Sequence, residues 1–154
     1  MKNMTLQELY DYLNSPEFQD VKSGNIFYNY YIYQYSAAKE YEMQRQIVVF
    51  KQNLERPSSF INAMLLDLFQ VFCDYLKTER FGPDSLFDLT LEDDKTQPDM
   101  VTQELTTEAN SDNFIHYVHD RIDEHLSIND GLNKPYIFIH GIGKMGSSEK
   151  WSDR

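Results

Sequence analysis

Three strand-length apolar runs, each separated from the next by enough chain for a helical crossover, constrain this 154-residue sequence more than any other feature. The first covers residues 26–35 and is built largely of Tyr, Phe and Ile. Such residues favour a pleated, partly buried surface, and their presence on both faces predicts a central strand covered on both sides. The second, residues 60–65, sits between a Pro-Ser-Ser loop and a helical pattern and reads as a strand or as the start of that helix, with length and flanks slightly favouring the strand. The third is Pro135-Tyr136-Ile137-Phe138-Ile139-His140, which ends on Gly141-Ile142-Gly143-Lys144. Strands alternating with helices predict an α/β fold, with a mainly parallel sheet of three or more strands flanked by helices. One domain over residues 1–145 and a polar, flexible tail over 146–154 are expected.

The helices are predicted from spacing and capping chemistry. Thr5-Leu6-Gln7-Glu8 fits a capping box, and Leu6, Leu9, Tyr10 and Leu13 then recur at helical intervals up to Ser15-Pro16. A second helix is expected from Ser36 to about Leu54, with Tyr41, Ile47, Val48, Phe50 and Leu54 inward. A third, over about 66–79, brings Phe69, Phe72, Cys73 and Leu76 onto one face. Phe81-Gly82-Pro83-Asp84 is a break. The acidic stretch 85–110 has room for a helix or two and reads as a mobile region. A helix over about 112–126 is expected to turn Phe114, Ile115, Val118, Ile122 and Leu126 inward.

Charge excludes some function classes. Fourteen Lys and Arg against 25 Asp and Glu give 14 − 25 = −11, with His neutral. Neutralising phosphate needs clustered cations, so direct nucleic-acid binding is disfavoured, and so is docking on anionic lipid. The single cysteine, Cys73, cannot close an internal disulfide, and its helical setting reads as a packed core thiol. The opening residues lack a signal-peptide pattern, and no apolar run approaches the roughly 20 residues needed to span a bilayer. A cytoplasmic protein is expected.

Three places have the residue types of a binding or catalytic site. Glycine loops after parallel strands are where α/β folds place ligands, which singles out His140, Gly141, Gly143 and Lys144. The phosphate-loop spacing fails there, because Phe138 stands where a Walker loop needs its first Gly and Met145 where it needs Ser or Thr. His116, His119, Asp120 and Asp123, with Glu124 and His125 nearby, have i,i+4 pairings that can hold a metal on one helix face. A solvated helix face explains the same residues more simply, and the zinc-protease spacing is missing. Glu92-Asp93-Asp94 lacks the alternating ligands of a calcium loop and reads as solvated. No cofactor is implied.

The opening helix ending in Ser15-Pro16-Glu17-Phe18 is similar to part of a known pattern. So are Tyr31-Ile32-Tyr33-Gln34-Tyr35-Ser36-Ala37, leading to a helix with Glu40 and Arg45, and the segment from Pro135 to Lys144. Together, from about Leu6 to Met145, these resemble the BrxB-like family, a bacterial domain found with BREX bacteriophage-defence systems. The resemblance implies an intracellular α/β protein acting beside a large ATPase, an alkaline-phosphatase-like protein and an adenine methyltransferase. It implies no catalytic residues. This chain departs from the family in having Gln34 where an acidic residue is common. It also lacks the aromatic-proline segment, arginine and further strand after the glycine loop. The expected function is a non-catalytic assembly component whose partners are other BREX-system proteins. The alternative is a nucleotide- or metal-binding enzyme using the 141–144 loop or the 116–125 helix. A sheet that stops one strand early would expose an edge that invites pairing with a second copy.

Overall fold

The structure, a computed structural model, describes residues 5–16, 33, 35–55, 61–128 and 134–141. The expected turn after Pro16, almost all of the aromatic run 26–35, the loop at 56–59, Gly143, Lys144 and the tail lie outside these residues. The chain forms two compact units, Met1–Leu65 with Ile128–Phe138, and Leu66–Ser127 with Ile139–Arg154.

In the first unit, helix α1 (Leu6–Leu13) starts at the capping box read from the sequence. The Thr5 hydroxyl accepts from the Glu8 amide at 3.2 Å, and the Glu8 carboxylate accepts from the Thr5 amide at 2.7 Å. Two of the helix's orphan donors are thereby satisfied. A 3₁₀ turn (Ala37–Lys39) leads into α2 (Glu40–Leu54). Glu40 and Glu42 in its first turn and Lys51 in its last complement the helix dipole. Strand β1 (Ile61–Asp67) follows, and β4 (Lys134–His140) lies beside it in parallel, the last two residues of each strand belonging to the second unit. Among the described residues this sheet has two strands. Leu13, Phe50, Leu54 and Ala63 form the core of the unit, with Tyr10, Tyr136 and Phe138 packed on it. Phe50 meets the edges of Tyr10 and Phe138, with ring centroids 5.3 and 5.4 Å apart. Edge-to-face pairs of this kind add about 0.5–1.5 kcal/mol each to the burial itself.

The inward face of α2 differs from the expected one. Met43, Phe50 and Leu54 are buried and Ile47 is half-buried, whereas Tyr41 is 84% and Val48 44% exposed. Positions 43, 47, 50 and 54 form one stripe, and 41 and 48 lie on the opposite side of the helix. The sequence offers two apolar stripes, and among the described residues the first is the one buried in the unit's core.

The second unit is helical. It contains α3 (Leu68–Thr78), strands β2 (Arg80–Phe81) and β3 (Asp84–Ser85), α4 (Leu86–Asp93), α5 (Pro98–Ala109) and α6 (Asp112–Ser127). The break expected at 81–84 is a tight hairpin pairing Arg80 with Ser85 and Phe81 with Asp84. Gly82 takes φ 70° at the first central position. Pro83 cannot follow with a positive φ, so of the two hairpin-compatible turns only type II′ fits. Ser85 caps α4 through its own box with Asp88. These hydrogen bonds hold the Asp88 carboxyl below its ordinary range. The acidic stretch expected to be mobile is α4 and α5, and it buries Thr90, Asp94, Val101 and Leu105.

Helix α3 carries Val71, Phe72, Cys73, Tyr75 and Leu76 inward and packs against α4 and α6. Phe72 and Phe114 meet edge to face at 4.9 Å. The Tyr75 hydroxyl donates to Glu108 Oε1 at 2.5 Å, and Ser111 Oγ donates to the same oxygen at 3.1 Å. Burial, then the Glu108 hydrogen bond and charge, push the Tyr75 phenol up to about 12. Ser111 Oγ also accepts from the Phe114 amide at 3.1 Å, so one hydroxyl links Glu108 to the start of α6. On α6, Phe114 is buried as expected and Val118 and Ile122 are half-buried, but Ile115 and Leu126 are 43% and 42% exposed. Phe114 and Tyr117 turn the helix toward Tyr75, which carries Ile115 and Leu126 to its flank.

Candidate functional site

The candidate site lies at the carboxyl ends of β1 and β4, within the second unit, and is built from Asp67, His140 and Gly141. Asp67 ends β1 and is the N-cap of α3. Its Oδ1 accepts from the amides of Phe69 at 3.1 Å and Gln70 at 3.3 Å. A carboxylate there satisfies two orphan donors and faces the positive end of the helix dipole.

His140 ends β4 and turns its ring toward Asp67. Its Nδ1 lies 3.9 Å from Asp67 Oδ2, close enough for charge interaction but beyond hydrogen-bond distance. Nδ1 is buried and has no hydrogen-bond partner among the described residues.

Gly141 follows with φ 79° and is buried. A Cβ at this position would collide with the Asp67 carboxylate, coming 3.1 Å from Cγ and 3.5 Å from the Leu68 amide nitrogen. Glycine is required here twice over, by the backbone conformation and by the close approach to Asp67. The arrangement sets an imidazole facing a helix-capping aspartate, beside a left-handed glycine at the carboxyl ends of two parallel strands, where α/β folds hold ligands.

The sequence-derived residues divide as follows. His140 and Gly141 come together with Asp67, whereas Gly143 and Lys144 are outside the described residues. His116, His119, Asp120 and Asp123 are all exposed on α6. Among the described residues no group of three or more His, Cys, Asp or Glu side chains is gathered closely enough to hold a metal ion. Cys73 is buried in the second unit's core. Asp94, read as solvated, is 1% exposed, while Glu92 is exposed. Sequence reasoning missed Asp67. Its signal was present, since Asp directly before an apolar helical run is an N-cap pattern, but starting the helix at Leu66 hid it.

A surface hollow on α2 is lined by Tyr41, Gln44, Arg45 and Val48. Among the described residues no helix is long and apolar enough to cross a membrane. No family model, curated protein or solved structure matches this chain.

Proposed function

We propose that this protein is a non-catalytic interaction component of a BREX-type bacteriophage-defence system, acting in the cytoplasm through contacts with other proteins of that system. The observation that carries the interaction reading is large apolar side chains standing in solvent on an acidic chain. Tyr41 and Val49 on α2 are 84% and 55% exposed, and Ile115 and Leu126 on α6 are 43% and 42% exposed. Clustered apolar exposure on a polar surface favours protein contact, and a net charge of −11 favours basic partners over nucleic acid. The link to BREX rests on the resemblance of the segments around Ser15-Pro16, Tyr31–Ala37 and Pro135–Lys144. In this reading the run 26–35 adds a third strand to the sheet, and His140, Gly141, Gly143 and Lys144 form a partner-contacting loop. The test is affinity capture of the tagged protein from a host carrying the whole system. Co-capture of another defence component is expected, and its absence would refute membership.

The second reading is a nucleotide- or metal-binding enzyme using the loop from Gly141 to Lys144 or the helix from His116 to His125, and the juxtaposition of His140 with Asp67 is the observation behind its loop form. Calorimetric titration with ATP, GTP, magnesium, manganese and zinc decides it. Saturable binding weakened by His140→Ala supports this reading, and a flat response removes it.

A further inference from the structure

We propose that the flank of α6 bearing Ile115, Ile122 and Leu126 is a docking surface for a basic amphipathic helix of another protein. The inference rests on the interaction reading above but not on the BREX assignment. At 100° per residue, Ile122 and Leu126 lie within about 20° of Ile115 on either side, over a length of roughly 16 Å. The line through Ile115, His119, Ile122 and Leu126 has the alternating steps of four, three and four residues of a coiled-coil seam. Ile115 and Leu126 are each more than two-fifths exposed, while Phe114 on the neighbouring face is buried against α3. Among the described residues, the two ends of the apolar line, Ile115 and Leu126, are exposed and Ile122 between them is half-buried, while Phe114 makes the contact to α3.

Charge selects the occupant. Within α6, one Arg stands against Asp112, Asp120, Asp123 and Glu124, giving 1 − 4 = −3 with His neutral. Asp112 and Asp123 border the apolar line on its outer side. Arg121 is turned away to Tyr117, where its guanidinium donates to the hydroxyl at 2.6 Å and lies 4.8 Å from the ring centre. A second α6 brought onto this flank would set −3 against −3. A helix with an apolar seam and flanking Lys or Arg meets both the seam and its border.

The test uses the full chain and two synthetic three-heptad peptides, both with Leu at a and d, one with Lys and one with Glu at e and g. Fluorescence anisotropy should show saturable binding of the Lys peptide, weakening with salt, and at least about tenfold weaker binding of the Glu peptide. Ile115→Asp with Leu126→Asp, checked by far-UV circular dichroism, should weaken the Lys peptide by a similar factor. Ile115→Ser with Leu126→Ser supplies a milder pair if the first disturbs folding. Gln103→Ala, an exposed position on α5, should leave binding unchanged. The proposal is overturned if the Lys peptide does not bind, if the two peptides bind equally, or if the α6 variants bind as the wild type does. Sedimentation showing a wild-type dimer that the α6 variants dissociate would also overturn it, by making a second copy the occupant. Failure of the affinity capture with success here would remove BREX membership and leave the docking surface standing.

Discussion

Replacing Gly141 with Ala tests the candidate site directly, because two independent penalties meet at one atom. The first is conformational. At φ 79° an L-residue is left-handed, which costs roughly 1–2 kcal/mol. The second is steric. The new Cβ would lie 3.1 Å from Asp67 Cγ, and the carboxylate cannot swing aside freely because it caps Phe69 and Gln70. If Asp67 stays, local overpacking costs about 1–3 kcal/mol. If it moves, the lost cap costs about 0.5–2 kcal/mol. The chain takes the cheaper course, so Gly141→Ala should destabilise by roughly 2–4 kcal/mol. In an Asp67→Ala background the steric part vanishes and only the conformational cost of about 1–2 kcal/mol remains. The double-mutant cycle should therefore show a coupling of roughly 1–2 kcal/mol between two residues distant in sequence. Urea unfolding followed by far-UV circular dichroism measures all four corners, provided the slope stays constant across the set. Additive effects would refute the close approach of Gly141 to Asp67. A single-variant cost below about 0.5 kcal/mol would refute the left-handed conformation as well.

Tyr75→Phe removes a donor to the Glu108 carboxylate from a residue only 3% exposed, and chemical denaturation should register a loss of about 1–3 kcal/mol. The Tyr75 phenol is pushed up to about 12 from an ordinary 10, so its contribution is intact below pH 10 and is lost as pH rises through 12. The alkaline decline should amount to on the order of 2–3 kcal/mol in wild type and flatten in Tyr75→Phe. Ser85→Ala deletes the buried cap of α4 and should cost about 0.5–2 kcal/mol by the same assay. It should also return the Asp88 carboxyl toward its ordinary range, read by side-chain NMR titration, because the Ser85 hydroxyl and amide are what lower it. Cys73, 7% exposed, should resist a thiol reagent in buffer and react fully in denaturant, and rapid native labelling would contradict its burial.

What the sequence made legible follows the range of the interactions concerned. The Thr5–Glu8 box, the stop after Leu13, strand β4 and the strand-to-helix passage near residue 66 rest on neighbours a few positions apart. Such signals survive without knowledge of the fold. Burial on α2 and α6 did not, because each helix carries more apolar residues than one face can bury. On α2, hydropathy cannot choose between Met43–Ile47–Phe50–Leu54 and Tyr41–Val48, and the choice is made by Leu13, Ala63 and Phe138 arriving from elsewhere in the chain. On α6, the choice between Phe114 and Ile115 is made by the ring cluster of Phe72 and Tyr75. Asp67 belongs to the same class, since its cap was readable locally but its approach to His140 required β1 and β4 to lie side by side. The surplus apolar residues that misled the burial reading are thus the ones left in solvent, Tyr41 and Val48 on one helix and Ile115 and Leu126 on the other. A helix patterned for a single partner has no need of a second stripe. On a chain of net charge −11, these second stripes are the exposed apolar surfaces on which the proposed interaction reading rests.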